Sequence, residues 1–134
     1  MEKWLVRNAT TQQVLADRAA MARDILHRSV GLLTRSSLGQ GEALILPQCR
    51  SIHTWFMRFP IDVLFLHTAP GSTGSSLEPR YVSGVVVKII HDMRPFRVVW
   101  AWGADTVVEL PIGTIAGTST SPGNRLEMCC EDIP

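Results

Sequence analysis

Short apolar runs, each closed by polar or turn-forming residues, make up most of the chain, the pattern of a sheet protein and not of a helical bundle. Trp4–Asn8 reads as a short strand, with Gln13–Ala16 as its hairpin partner across a polar turn. From Ala19 the spacing of Met21, Ile25, Leu26, Leu32 and Leu33 predicts a helix, with Asp17 as its N-cap and Gly31 weakening or ending it. Ala43–Leu46 predicts a buried strand stopped by Pro47. Ile52–Leu66 is the most apolar and aromatic stretch; Pro60 splits it, and Ile61–Leu66 is expected as a central strand with Asp62 as its lone charge.

Downstream, residues 67–79 form a turn-rich tract, read as a surface loop. Gly84–Ile90 and Arg97–Trp102 are strands by their β-branched and aromatic content, with His91–Pro95 as the turn between them. Thr106–Leu110 is a strand or the start of a short helix. Ser121–Asn124 is a turn that feeds a last strand, Arg125–Met128. Strands in runs, not alternating with helices, argue against a parallel Rossmann-type sheet. The expected class is α+β, mainly β: a twisted antiparallel sheet or partly closed small barrel with one main helix against it, residues 1–134 forming a single domain.

Composition narrows the function classes. At 134 residues, 46% hydrophobic and 19% charged, the chain is globular by composition and needs no disulfide or metal to fold. A net charge of +1 gives no overall attraction to nucleic acid or an anionic membrane, so neither is expected as a partner. Three cysteines, Cys49, Cys129 and Cys130, make no disulfide framework and are read as free thiols. With no signal-like N-terminus and no apolar run of membrane-spanning length, a cytoplasmic protein is expected.

Four blocks carry a resemblance. Gly31–Leu38 (GLLTRSSL), Ser51–Leu66 (SIHTWFMRFPIDVLFL), Glu109–Thr114 (ELPIGT) and Ser121–Leu126 (SPGNRL) occur in order. Together they resemble an uncharacterised prokaryotic family, domain of unknown function 192, over roughly residues 4–128. The resemblance implies a small, largely β domain and brings no established activity. Two positions depart from the family pattern: His67 follows the central strand, and Asn124 occupies the turn, where the family usually has Asp. Asn can still cap a turn.

The chemistry-bearing residues gather around the central block. Cys49, His53 and Met57 are four residues apart in succession and form a soft-metal ligand set, though without the paired spacing of a structural site, so no metal or cofactor is expected. His53 and Asp62 are a candidate acid/base pair, with Cys49 or Ser51 as nucleophile, but no standard nucleophile motif is present. Asp62 and Glu109, each alone in an apolar strand, call for cationic partners, and Arg35 and Arg58 are available. Three readings follow. In the first, Arg35, His53, Met57, Arg58, Asp62 and Glu109 border a cleft, centred on His53, Arg58 and Asp62, that binds a small anionic ligand or a protein partner. The second is a hydrolase-type or thiol enzyme, and the third a structural domain held by an internal ion-pair network. Trp55, Phe56, Phe59, Trp100 and Trp102 are expected mostly in the core; His27, His67 and His91 are expected at the surface.

Overall fold

The computed structural model describes residues 2–22, 37–55, 57–69 and 80–132. Its strands are β1 (Glu2–Asn8), β2 (Gln13–Met21), β3 (Glu42–Pro47), β4 (Ser51–His53), β5 (Ile61–Thr68), β6 (Tyr81–Met93), β7 (Val98–Trp100), β8 (Thr106–Leu110) and β9 (Arg125–Asp132), with a four-residue helix α1 (Thr114–Gly117) between the last two. Seven strands close a barrel in the order β1-β2-β3-β8-β5-β6-β9, and β4 pairs with β7 as a separate ribbon. The β2–β3 pair is parallel; the other pairings are antiparallel. The architecture is mainly β, as the apolar pattern predicts.

The β1–β2 turn is built by Asn8, whose side-chain oxygen accepts the backbone N–H groups of Thr10 and Thr11 at 2.9 and 3.0 Å. The start of the helix expected from Ala19 is corrected here. Ala19–Met21 continue β2, and Asp17 lies inside that strand and caps nothing. The remainder of that segment, residues 23–36, lies outside the described residues. The physical reason is local. Trp4 faces Ala19 while Val6 faces Ala16, so β2 carries an extra residue there, and the N–H groups of Asp17 and Arg18 both reach the Gly41 carbonyl. Such a bulge shifts the buried positions from period two to the spacing Leu15, Ala16, Ala19 while the chain stays extended through Met21; the other residues on which the helix is predicted, Ile25, Leu26, Leu32 and Leu33, lie outside the described residues. Two further boundaries move: His91–Met93 belong to β6 and not to a turn, and His67–Thr68 belong to β5. Residues 70–79 lie outside the described part.

Two apolar clusters lie on opposite sides of the barrel wall. The inner one includes Trp4, Val6, Ile45, Leu64, Leu66, Val108, Leu110, Leu126 and Met128. The outer one includes Leu46, Ile52, Ile61, Val63, Phe65 and Val107. Strands β5 and β8 are therefore covered on both faces, which explains why all five residues of β8 are buried and why Ile61–Leu66 read as an unbroken apolar run. One end of the barrel is stopped by α1, whose Ile115 is fully buried in the inner cluster. Gly113 precedes α1 at φ 90°, a left-handed conformation that favours glycine. The ribbon lies over the outer cluster, with Ile52 and Val99 as its inward residues.

Candidate functional site

Asp62 does not face the ribbon. Along β5, Ile61, Val63 and Phe65 belong to the outer cluster and Leu64 to the inner one, so alternation turns Asp62 inward, toward the end stopped by α1. There its carboxylate accepts the backbone N–H groups of Asp92 (3.0 Å), Gly113 (3.0 Å) and Ile115 (3.1 Å). The side chain is 1% exposed. It ties the Gly113–Ile115 turn and the end of β6 to β5, a fastening role. Among the described residues three peptide dipoles, and no arginine, meet this carboxylate, and His53 is not its partner.

Glu109 has the opposite surroundings. It projects on the outer face of β8, in register with Leu44 of β3 and Val63 of β5. It is 7% exposed and makes no hydrogen bond or ion pair among the described residues. Burial pushes its carboxyl up from 4.5 to about 7. Arg58 is exposed, and Arg35 lies outside the described residues, so the ion-pair network expected from Arg35, Arg58, Asp62 and Glu109 is not formed among the described members.

The metal-ligand reading also separates in space. Met57 is buried in the outer cluster, Cys49 packs against that cluster with its thiol donating to the Ser51 carbonyl at 3.0 Å, and His53 is exposed on the ribbon. Among the described residues no group of three His, Cys, Asp or Glu side chains is placed to hold a metal ion. All three cysteines are free thiols, and burial, with Glu127 and Glu131 beside it, raises the Cys129 thiol above its usual range.

What the structure does bring together is an aromatic and basic outer surface. In the ribbon Ser51 faces Trp100 and His53 faces Val98, all four exposed. Trp100 is 53% and Trp102 79% exposed, while Ala101 is buried and Val99 packs inward. The expectation that the larger side chains take the core is thus corrected. Lys88 Nζ donates to the Trp100 carbonyl at 2.9 Å and ties the ribbon to β6, while strand alternation turns Val99 toward the outer cluster and Trp100 away from it. Trp55 is likewise exposed, edge-on to Phe96 at 5.6 Å between ring centroids; Phe59 is half-buried against the outer cluster, and Phe56 is not among the described residues.

One buried threonine holds this surface in shape. Thr54 donates its hydroxyl to the Arg94 carbonyl at 2.6 Å and accepts the Arg97 N–H at 2.9 Å. Its N–H donates to the Arg97 carbonyl and its carbonyl accepts the N–H groups of Phe96 and Met57. Residues 47–61 and 88–104 carry Arg50, Arg58, Lys88, Arg94 and Arg97 against a single carboxylate, Asp92. Asp92 lies 3.8 Å from Arg94. A shallow recess of about 340 Å³ beside the ribbon is lined by Arg94, Arg97, Ile90 and Val98 among others.

Arg58, His53 and the exposed aromatics were all visible in the sequence; their common surface was not, because it is made by the β4–β7 pairing across more than forty residues. Asn8 was missed: fully buried, it donates to Thr120 Oγ1 (3.1 Å) and Asn124 Oδ1 (3.0 Å) and so links the first turn to the last. Asn124 does cap its turn, accepting the Ser121 N–H at 3.0 Å.

The family model described as an uncharacterized ACR, domain of unknown function 192, matches residues 6–70. Two solved structures are similar. A protein of unknown function from Novosphingobium aromaticivorans shares 23% identity over 92% of this chain and 81% of its own, with a TM-score of 0.65. A putative transcription regulator from Sinorhizobium meliloti shares 20% identity over 93% and 91%, with a TM-score of 0.69. These likenesses show a shared fold. No curated protein matches the chain. No helix among the described residues is long and apolar enough to cross a membrane.

Proposed function

We propose, for a chain whose residues 6–70 match an uncharacterised family, that it is a binding domain whose β4–β7 surface docks an acidic segment of a partner protein. The observation that carries this reading is the exposure of Trp55, Phe96, Val98, Trp100 and Trp102 on one ribbon and its turns, framed by arginines. Soluble surfaces rarely expose so much aromatic area unless it is used, and Trp with Arg is the pair enriched where proteins bind proteins. The charge balance selects the partner's sign: five cations against one outward-facing carboxylate favour an acidic segment. Its carboxylates would sit at Arg94 and Arg97 in the recess, with apolar side chains on Trp100 and Trp102.

Of the residues expected in a cleft, His53 and Arg58 stay in this reading as exposed contacts. Met57 acts from beneath as packing, and Asp62 belongs to the barrel end. The surface is open and shallow, which suits a peptide better than a small anion held on all sides.

The test uses two fluorescent peptides, one rich in Glu and Phe and one rich in Lys and Phe, titrated against the whole protein by anisotropy. The acidic peptide is expected to bind saturably. Its affinity should drop by about tenfold or more in Trp100→Ala/Trp102→Ala and in Arg94→Ala/Arg97→Ala. Equal binding of the two peptides, or variants that bind as the parent does, would falsify the proposal.

A further inference from the structure

The two ends of the barrel differ. Asp62 and Ile115 stop one end. Among the described residues, the opposite end, where β2, β3 and β5 finish and β6 begins, forms a cavity of about 300 Å³. Its walls are Met21, Ile45, Val82 and Met128, the inner-face side chains of four strands, and Thr68 and Asp105 stand at its lip. The apolar part is continuous with the inner core, since Ile45 and Met128 belong to that cluster and Met21 and Val82 pack against it. Small barrels with one mouth filled and one open have room for a single small ligand.

The lip has a sign. The Asp105 carboxylate accepts the Thr68 N–H at 3.1 Å and the Thr68 and Thr106 hydroxyls, each at 2.9 Å. These donors are neutral and fix the carboxylate in place without cancelling its charge. No lysine or arginine pairs with it among the described residues. Its one titratable neighbour is His67, whose Nδ1 lies 3.7 Å away and is 3.0 Å from the Gly103 carbonyl. The Gly103 carbonyl is an acceptor, so Nδ1 is the protonated nitrogen and the ring is satisfied there without the carboxylate. The backbone is also tight at this lip: a Cβ on Gly84 would come within 2.9 Å of the His67 carbonyl oxygen, so β6 lies hard against the end of β5 and positions Thr68.

We propose that this mouth binds a small amphiphile with a short apolar tail and an ammonium head. The tail enters between Met21, Ile45 and Met128, and the head meets the Asp105 carboxylate at the lip. An oriented anion at the rim of an apolar cavity favours a cation and disfavours a carboxylate of the same tail length. The site is on the barrel's end, is lined by none of the ribbon residues, and stands or falls independently of the acidic-segment reading.

The methionines supply the test. Met21 and Met128 line the cavity, while Met57 and Met93 lie in the outer cluster. The whole protein, with isotope-labelled methionine methyl groups, is titrated by NMR with hexylamine and, separately, with hexanoate. Hexylamine is expected to shift the Met21 and Met128 methyl signals saturably and to leave Met57 and Met93 in place. Hexanoate should bind about tenfold more weakly or worse, and Asp105→Asn should weaken hexylamine by a similar factor. Absence of a saturable shift at Met21 and Met128, an equal response of all four methyls, or equal affinity for the two probes would each overturn the proposal. The amine-over-carboxylate preference is read on the unsubstituted protein, so it decides the matter even if Asp105→Asn folds poorly.

Discussion

Asp62 and Glu109 occupy paired strands and opposite faces of one barrel wall, and each predicts a different behaviour. Asp62 is satisfied by three peptide N–H groups. Its replacement by alanine leaves those donors buried without an acceptor and should cost about 3–5 kcal/mol, read as a fall in the urea midpoint. Asp62→Asn keeps one acceptor oxygen and should lose clearly less. The Glu109 side chain has no such partners among the described residues. Its carboxyl is raised from 4.5 to about 7, so between those values the folded state holds a proton that the unfolded state has released. Stability should therefore fall as pH rises from 4.5 to 7 and level off above, by about 3 kcal/mol in all. Thermal melts across that range should show the decline in the parent and a flatter profile in Glu109→Gln. A parent profile without that fall would mean that Glu109 is hydrated. The sequence marked both carboxylates as buried and in need of partners. It could not show that peptide dipoles would serve Asp62, because those come from residues 30 and more than 50 positions away.

At the scale of elements, legibility followed period and length. β5 and β6 were readable because their apolar runs are continuous or rich in β-branched residues, whereas the five residues of β8 were too few to decide between strand and helix. β2 was read only in part: its bulges break the strict alternation after Ala16, which hid its continuation to Met21. The ribbon was misread in orientation: the rule that large side chains are buried failed because alternation places Val99 and Ala101 toward the outer cluster and Trp100 and Trp102 on the other face. Thr54 is the element's pivot. Thr54→Val keeps the volume and removes both hydroxyl bonds, so the β7 end of the ribbon should loosen while the barrel stays intact. Hydrogen exchange should show faster exchange at Arg97 and Phe96, with little change at Val107 and Val108. Uniform acceleration in both places would instead make ribbon and barrel one cooperative unit.

For the molecule as a whole, net charge is a poor guide. The chain sums to +1, yet residues 47–61 and 88–104 hold five of its thirteen lysines and arginines and only one of its twelve acidic residues, Asp92. The remainder is correspondingly acidic. Composition hid this polarity, because it arises when β4 and β7 meet. Binding of an acidic peptide at the ribbon should accordingly weaken as salt is raised from low to physiological strength, mainly through a slower association rate. Stopped-flow traces unaffected by salt would speak against charge as the selector.

The barrel is closed by β1 against β9, Glu2 facing Asp132 and Asn8 facing Leu126. During synthesis at about 5–20 residues per second, β1 leaves the ribosome on the order of ten seconds before its partner exists. Throughout that interval one edge of the nascent hairpin stands open, and Trp4 and Val6 wait for an interior to enclose them. The finished wall has no edge there to recruit another chain, whereas the growing one does. The protein's exposure to misassembly is thus concentrated in the time before its last eight strand residues emerge, and the need for a chaperone should fall away once they have paired.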